Sequence, residues 1–313
     1  MDFLRFLQTI RTGFGDLLLG TITHLGEETV FLAVGLLFLW CIDKKRGYYI
    51  LFAGFVGTVL NQFLKILCRI PRPWVLDPEF SIVESARAEA TGYSFPSGHT
   101  QSATSLFGGI ALSEKKYKWI RWGSIAILIL VAFSRLYLGV HTPKDVLISL
   151  LIGAVLVFVL YPLMMREHKN PWVIYGTMIT IFAITLGVFL FVHLFSFPAD
   201  TDPMNLESAK ENSSKLLGVV IAMLIVYIVD QKWIRYETGA VWWAQILKLV
   251  LGIAPIILVK SFAKAPLNAI FGASMGNAVR YFIIVILAGI VWPLTFRFFG
   301  KLGNRSKIDK TEA

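Results

Sequence analysis

Residues 134–165 read SRLYLGVHTPKDVLISLLIGAVLVFVLYPLMM, and this stretch joins a polar turn to a long apolar run. Residues 146–165 carry no charged side chain, and a helix of that length extends about 30 Å, the thickness of the hydrocarbon layer of a membrane. Before the run, Thr142 is placed to cap a helix, Pro143 to occupy its first position and Asp145 to lie in its first turn. The stretch predicts a membrane-spanning helix with polar side chains at its entrance.

The rest of the chain repeats this pattern. Apolar and aromatic residues make up 56% of the 313 residues, charged residues make up 16%, and the mean hydropathy is +0.67. These values are outside the range of a soluble domain. Apolar runs of roughly spanning length lie near residues 29–42, 48–67, 97–112, 119–140, 145–165, 172–195, 215–230, 241–259 and 280–299. We predict an all-α, polytopic membrane helix bundle with about nine spans.

The distribution of charge within these runs suggests three regions. We expect an amphipathic, interfacial helix within residues 1–27, a core that carries the chemistry within 28–168, and accessory spans with a basic tail within 169–313. Charged residues interrupt the apolar N-terminus, so no removable signal peptide is expected. The two cysteines, Cys41 and Cys68, predict neither a disulfide framework nor a thiolate metal site.

The chain has a net charge of +10, and its basic residues cluster at the ends of apolar runs. That placement indicates membrane topology and anionic headgroups rather than nucleic acid. Counting spans puts the basic clusters on one face, which the positive-inside rule makes cytoplasmic. Segments 68–96, 134–144 and 200–211 then share the non-cytoplasmic face, and the expected location is a bacterial plasma membrane. The positive-inside rule predicts few basic residues on the non-cytoplasmic face, yet Arg69, Arg72 and Arg87 lie in segment 68–96. We therefore expect the positive charge of this segment to bind an anion.

Three polar clusters on that face contain the parts of a phosphoryl-transfer site. The first is Lys65 with Arg72-Pro73, the second is Ser94 through Thr100, and the third is Ser134-Arg135 with His141 and Asp145. Guanidinium groups bind phosphate oxygens in pairs, a lysine adds a point charge, and the first N–H groups of a helix form a seat for an anion. Taken alone, each arginine could be a headgroup anchor, but their occurrence together on one face favours a site. The phosphate-binding candidates are Lys65, Arg72, Ser97, Gly98 and Arg135.

The helix entrance at residues 141–145 also suggests a nucleophile. His141 and Asp145 can touch there, and a carboxylate bonded to one ring nitrogen leaves the lone pair of the other free to attack phosphorus. We therefore predict His141 as the nucleophile, Asp145 as the residue that orients it and His99 as the general acid. An interfacial role is expected for the remaining histidines, His24, His168 and His193.

Together these residues resemble the three motifs of the type-2 phosphatidic acid phosphatase (PAP2) superfamily, whose site is similar to those of glucose-6-phosphatases, sphingosine-phosphate phosphatases and vanadium haloperoxidases. The motifs are KILCRIPRP at 65–73, PSGH at 96–99 and SRLYLGVHTPKD at 134–145. They constrain about a dozen positions at set spacing, so the resemblance is specific. It covers about residues 48–165 and leaves the later spans unexplained.

The resemblance implies a catalytic route and the role of each motif residue. His141 would form a covalent phosphohistidine, Asp145 would orient it, and His99 would protonate the leaving oxygen and then help to activate water. The residues that the resemblance assigns to the phosphate oxygens are Lys65, Arg72, Ser97, Gly98 and Arg135. The resemblance implies no metal and no other cofactor.

The resemblance implies a membrane phosphatase, but the shared motifs recognise only the phosphate. A site at the outer membrane surface favours a lipid substrate such as phosphatidate, phosphatidylglycerophosphate, undecaprenyl diphosphate or a sphingoid phosphate. The first alternative is a glucose-6-phosphatase-like enzyme that acts on a soluble phosphate ester, and a more remote one is a non-catalytic lipid transporter. A phosphotransferase, which would deliver the phosphate to an acceptor other than water, also stays open. Membrane lipids and the phosphorylated substrate are the expected partners, nucleic acid is not, and the oligomeric state stays open.

Overall fold

The computed structural model describes residues 1–166 and 172–302, and within these ranges every regular element is a helix. The α-helices, in chain order, are α1 (Asp2–Thr9), α2 (Gly13–Thr23), α3 (Glu28–Leu37), α4 (Lys44–Cys68), α5 (Pro73–Leu76), α6 (Gly98–Ala103), α7 (Gly109–Ser113), α8 (Lys118–Tyr137), α9 (Pro143–Met165), α10 (Trp172–Leu194), α11 (Pro203–Val229), α12 (Trp242–Phe262), α13 (Lys264–Ile286) and α14 (Phe296–Lys301). A π-helical turn, Thr104–Gly108, joins α6 to α7 without a break.

Among the described residues, seven helical segments are long and apolar enough to cross a membrane. An eighth candidate requires Gly13–Gly26 and Glu28–Ile42 to act as one span across a bend of 53°. The run predicted at 97–112 is helical, but at about 1.5 Å per residue it covers only about 24 Å. The prediction of an all-α, polytopic membrane protein is thus confirmed, whereas the predicted count of nine spans is too high.

The chain forms two compact units. The first contains the described parts of Met1–Val34, Tyr49–Asn170 and Leu190–Ala209, and the second those of Gly35–Tyr48, Pro171–Phe189 and Lys210–Ala313. Every candidate site residue belongs to the first unit. The predicted domain boundaries stay predictions. The boundary at 168/169, His168 and the tail beyond residue 302 lie outside the described residues.

Glycines let the helices of the first unit approach one another closely. A Cβ on Gly57 of α4 would lie 2.3 Å from Gln101 Nε2 of α6. A Cβ on Gly153 of α9 would lie 2.6 Å from Thr104 Cγ2 in the π-helical turn. No larger residue fits at these positions without a shift, so the helix over 98–113 is held tightly between its neighbours.

One end of the first unit is basic and aromatic. The Tyr49 ring packs edge-on against Tyr161 with 5.8 Å between ring centroids, and Lys115 Nζ lies 6.0 Å from the Tyr161 ring centroid. Since α6 begins at residue 98 and α7 ends two residues before Lys115, the short helix leads from the opposite end of the unit to this one.

The opposite end of the first unit holds the loops that were predicted to share a face. Arg69 Nη1 donates a hydrogen bond to Thr201 Oγ1 at 2.9 Å, which joins the 68–96 segment to the chain near residue 200. Leu138 and Val140, both fully buried, pack in a cluster that includes Leu4, Leu19, Phe80, Ile82, Ala86, Ala90 and Tyr137. This cluster supports the turn that carries His141. The side of the membrane on which this end lies stays a prediction.

The second unit contains a buried ion pair. Asp230 is fully buried and accepts hydrogen bonds from Lys44 Nζ at 3.1 Å and from the Tyr48 hydroxyl at 3.2 Å. Lys248 is also buried, and its Nζ donates to the Thr238 carbonyl at 2.9 Å. These contacts satisfy charged groups that would be costly in a membrane interior.

Candidate active site

His141 lies in the turn between α8 and α9, and only 2% of it is exposed. The backbone N–H groups of Val140 and His141 both donate to the Arg135 carbonyl, at 3.2 and 3.3 Å. Gly139 permits this turn because its φ of +79° is in the left-handed region, which a side chain would strain. The end of α8 therefore fixes the position of the histidine.

The proton on His141 can be assigned from its neighbour. Arg72 Nη1 lies 3.0 Å from His141 Nε2, and a guanidinium group can only donate, so Nε2 is the ring nitrogen with the lone pair. Burial, and then the positive charges of Arg72, Arg135 and Lys65, hold the pKa of His141 well below its usual value. The imidazole is thus neutral near pH 7, which is the protonation state that a nucleophile requires.

Asp145 faces the other ring nitrogen of His141. Its Oδ2 lies 3.5 Å from His141 Nδ1, which is close enough for electrostatic attraction but beyond a good hydrogen bond. The same oxygen accepts from the Thr142 N–H at 2.8 Å and from Ser94 Oγ at 2.6 Å, and Thr142 Oγ1 in turn accepts from the Asp145 N–H. The predicted cap at Thr142 and the predicted proximity of Asp145 to His141 are both confirmed.

Backbone carbonyls fix the Arg72 guanidinium in place. Its Nη2 donates to Thr91 at 2.6 Å, its Nε to Gly92 at 3.0 Å and its Nη1 to Val140 at 3.0 Å. These carbonyls belong to the loop before α6 and to the His141 turn. Arg72 is therefore a fixed positive charge beside the histidine, and it also ties the two loops together.

Arg135 is fully buried but only partly satisfied. Its Nη1 donates to Thr23 Oγ1 at 2.6 Å, whereas Nε and Nη2 have no hydrogen-bond partner among the described residues. Buried donors without partners are costly, and the oxygens of an anion would satisfy them. Lys65, in the last turn of α4, donates to the Tyr93 carbonyl and interacts electrostatically with Arg135.

The second predicted cluster begins a helix. Ser97 is the N-cap of α6, and its hydroxyl accepts from the Thr100 N–H at 3.4 Å. The Ser97 N–H donates to the Asp145 carbonyl at 3.3 Å, which ties this helix start to the start of α9. Gly98 and His99 are the first helical residues, where the N–H groups have no partner within the helix. The structure therefore brings all three clusters together at one end of the first unit.

One part of the site was not predicted. His24, for which an interfacial role was expected, contacts Glu27 and lies 3.3 Å from Glu89, which in turn lies 3.3 Å from His99 Nε2. His24, Glu27 and Glu89 also bring one ligand atom each within 4.8 Å of one another, so this is the group of described residues that could hold a metal ion. Because Glu89 is far from His24 in the chain, no local pattern indicated this contact.

Two family models match the chain. The PAP2 superfamily model matches residues 29–169, and the model described as the transmembrane extension of PAP2 superfamily phosphatases matches residues 214–305. The chain belongs to the PAP2 superfamily. The resemblance inferred from the three motifs is therefore confirmed, and the second match extends it to the later helices.

Several curated proteins are similar to this PAP2 chain. Sphingosine-1-phosphate phosphatase 1 of Rattus norvegicus is 26% identical over 89% of this chain and 61% of its own length. An undecaprenyl-diphosphatase of Bacillus subtilis is 30% identical over 41% of this chain and 65% of its own length. Phosphatidylglycerophosphatase B of Escherichia coli K12 is 28% identical over 39% of this chain and 64% of its own length. The chain thus spans less than two thirds of each of these relatives. No solved structure matches it.

Proposed function

We propose that this PAP2 protein is an integral membrane phosphatase that hydrolyses a phosphomonoester or diphosphate of a lipid through a phosphohistidine on His141. The observation that carries the proposal is a buried histidine whose Nε2 lone pair faces Arg72, beside an Arg135 with two buried donors that have no hydrogen-bond partner among the described residues. A phosphate group bound between these side chains would meet a nucleophile and two guanidinium groups. This arrangement is suited to phosphoryl transfer.

In the first step, a phosphate oxygen replaces Nε2 as the acceptor of the Arg72 Nη1 hydrogen bond while the guanidinium keeps its carbonyl contacts, and Nε2 then attacks phosphorus. The bond to the leaving oxygen breaks as His99 gives that oxygen a proton. The phosphorylated imidazole keeps its proton on Nδ1, and the nearby Asp145 carboxylate stabilises the resulting positive charge. Lys65, Arg135 and the first N–H groups of α6, at Gly98 and His99, supply the other contacts to the phosphate oxygens.

In the second step, water attacks the phosphorus of the phosphohistidine. His99, now neutral, accepts a proton from that water, and the bond between phosphorus and Nε2 breaks. Inorganic phosphate leaves, and both histidines return to their starting protonation states. Every atom and proton in the cycle comes from substrate, water and these side chains.

A lipid substrate is supported by the position of the site and by the names of the relatives. The site lies at one end of a membrane helix bundle, where the phosphate of a lipid headgroup would lie. The relatives are named for sphingosine 1-phosphate, undecaprenyl diphosphate and phosphatidylglycerophosphate, all of which are phosphorylated lipids. The positive-inside pattern supports a site on the non-cytoplasmic side of the membrane, and the bacterial plasma membrane remains the predicted location.

The test is phosphate release by the detergent-purified protein, with EDTA present, from sphingosine 1-phosphate, phosphatidate, phosphatidylglycerophosphate, undecaprenyl diphosphate and glucose 6-phosphate. We expect release from at least one lipid, loss of that release in His141→Gln, and full activity in the control His193→Gln. Rapid quenching in alkali should trap an acid-labile phosphoryl group on the wild-type protein and none on His141→Gln. An active His141→Gln protein would refute the mechanism. Release from glucose 6-phosphate alone would refute the lipid substrate.

A further inference from the structure

His99 lies among cationic side chains. Burial, and then the positive charges of Arg135, Arg72, His24 and Lys65, hold the pKa of His99 well below its usual value. A general acid must also present its donor nitrogen to the leaving oxygen within hydrogen-bond distance. A neighbouring group that holds the His99 ring in one orientation would therefore assist the first step.

Glu89 is the carboxylate in contact with this ring among the described residues. Its Oε2 lies 3.3 Å from His99 Nε2, and its Oε1 lies 3.3 Å from His24 Nδ1. The exposed fraction of the side chain falls from 55% at His24 to 34% at Glu89 and 15% at His99. The carboxylate therefore lies between the surface and the site, beside the His99 ring.

The turn at His24–Gly26 holds Glu89 from its other side. A Cβ on Gly26 would lie 2.9 Å from the His99 carbonyl oxygen, so only glycine allows this turn to pack directly on His99. Glu27 follows the turn and forms an ion pair with His24. Burial and then Glu27 raise the pKa of Glu89 from its ordinary value, whereas His24 and Arg135 oppose that rise. These contacts keep the Glu89 carboxylate directed toward His99.

We propose that Glu89 is a positioning residue for the general acid: by contacting Nε2 it holds the His99 ring so that Nδ1 faces the leaving oxygen. This inference rests on the proposed phosphatase function and adds a residue outside the three motifs. In the first step His99 gives its Nδ1 proton to the leaving oxygen, and in the second it regains one from water. Glu89 stays ionised throughout and gains or loses no proton.

The test compares Glu89→Gln, which keeps the shape of the side chain and removes its charge, with Glu84→Gln as a matched control. Glu84 lies in the same loop, and its carboxylate pairs with Arg87 at the surface. Two substrates are compared: an alkyl lipid phosphate, whose leaving oxygen needs a proton, and p-nitrophenyl phosphate, whose leaving group needs little help.

For Glu89→Gln we expect kcat/KM to fall roughly 10- to 100-fold on the lipid and less than about 3-fold on p-nitrophenyl phosphate. The control Glu84→Gln should match the wild type on both substrates.

A double-mutant cycle separates this role from a purely structural one. If Glu89 acts through His99, adding Glu89→Gln to His99→Ala should lower lipid turnover no further than His99→Ala does alone. Equal losses on both substrates, additive losses in the cycle, or inactivation of the wild type by a chelator would overturn the proposal. Absence of any turnover by the wild type would instead refute the proposed function itself.

Discussion

Replacing Arg135 by methionine should stabilise the ligand-free protein while abolishing its activity. The guanidinium is fully buried with two unpaired nitrogens, and Arg72 is a neighbouring cation that repels it. An unpaired buried donor costs about 1–3 kcal/mol, and the methionine removes two of them, while the lost attraction of Arg135 to Glu89 and Glu27 offsets part of that gain. Loss of the hydrogen bond to Thr23 offsets about 1 kcal/mol of that gain. We expect a net increase in the free energy of unfolding of about 1–3 kcal/mol.

The same variant should lose phosphate binding. Two charge-assisted hydrogen bonds from Nε and Nη2 to phosphate oxygens contribute about 1.5–3 kcal/mol each. Their loss amounts to about 3–6 kcal/mol, which corresponds to a decrease in kcat/KM of about 10²- to 10⁴-fold. Stability and activity should therefore change in opposite directions.

The assay is thermal unfolding in detergent, followed by tryptophan fluorescence with and without orthovanadate, a mimic of the transferring phosphoryl group. Vanadate should raise the unfolding temperature of the wild type and leave that of Arg135→Met unchanged. Arg121→Met is the matched control, because Arg121 lies at the other end of α8 and donates to the carbonyls of Ala111 and Glu114. It should lower stability and keep the vanadate effect. A destabilised Arg135→Met protein that vanadate still stabilises would refute the reasoning.

Three further predictions follow from the geometry around His141. Asp145→Asn should lower kcat by about 10²- to 10⁴-fold in turnover assays, as in other sites where a carboxylate orients a histidine. In urea denaturation it should lower the free energy of unfolding by only about 1 kcal/mol, because the helix cap is weakened. Because the pKa of buried His141 lies below the ordinary value of 6.5, the unfolded chain binds a proton more readily. The free energy of unfolding should thus fall as the pH drops below about 6.5, by up to about 1.4 kcal/mol per pH unit from this group. Denaturation curves of His141→Gln should show a weaker dependence of the unfolding free energy on pH. Orthovanadate should inhibit phosphate release and EDTA should not. A strong loss of phosphate release in EDTA would point to a metal ion, and His24, Glu27 and Glu89 would be the first ligands to test.

The sequence predicted the parts of the site that depend on local rules. A threonine followed by proline and, two residues later, aspartate defines a helix start in any fold, so the cap at Thr142 and the position of Asp145 could be placed without a structure. The convergence of Arg72, Arg135 and the start of α6 required only that helix ends alternate between two faces of a membrane. Each connection reverses the direction of the chain across the membrane, so two loops that are separated by two consecutive helices lie on the same side of the membrane.

Contacts set by tertiary packing could not be predicted in this way. Glu89 and His24 meet only because the turn before Glu27 packs on the backbone of His99, and the glycine that permits this has no distinctive local pattern. The span count failed for a related reason. Apolar content identified the helix over 98–113, but its length and its π-helical turn make it a short internal helix held by its neighbours.

The charge balance of the site explains why a dianion would bind there with little rearrangement. Arg72 donates to three carbonyls and is attracted by Asp145, and Arg135 donates to Thr23 and is attracted by Glu89 and Glu27. The carboxylate of Asp145 already accepts hydrogen bonds from Ser94 and from the backbone of the cap. The cations are thus held in place before a ligand arrives, and under the proposed function a phosphate dianion would supply hydrogen-bond acceptors for the unpaired donors of Arg135. Charge fixed in advance in this way lowers the barrier to phosphoryl transfer, because no reorganisation is required when negative charge develops on the equatorial oxygens.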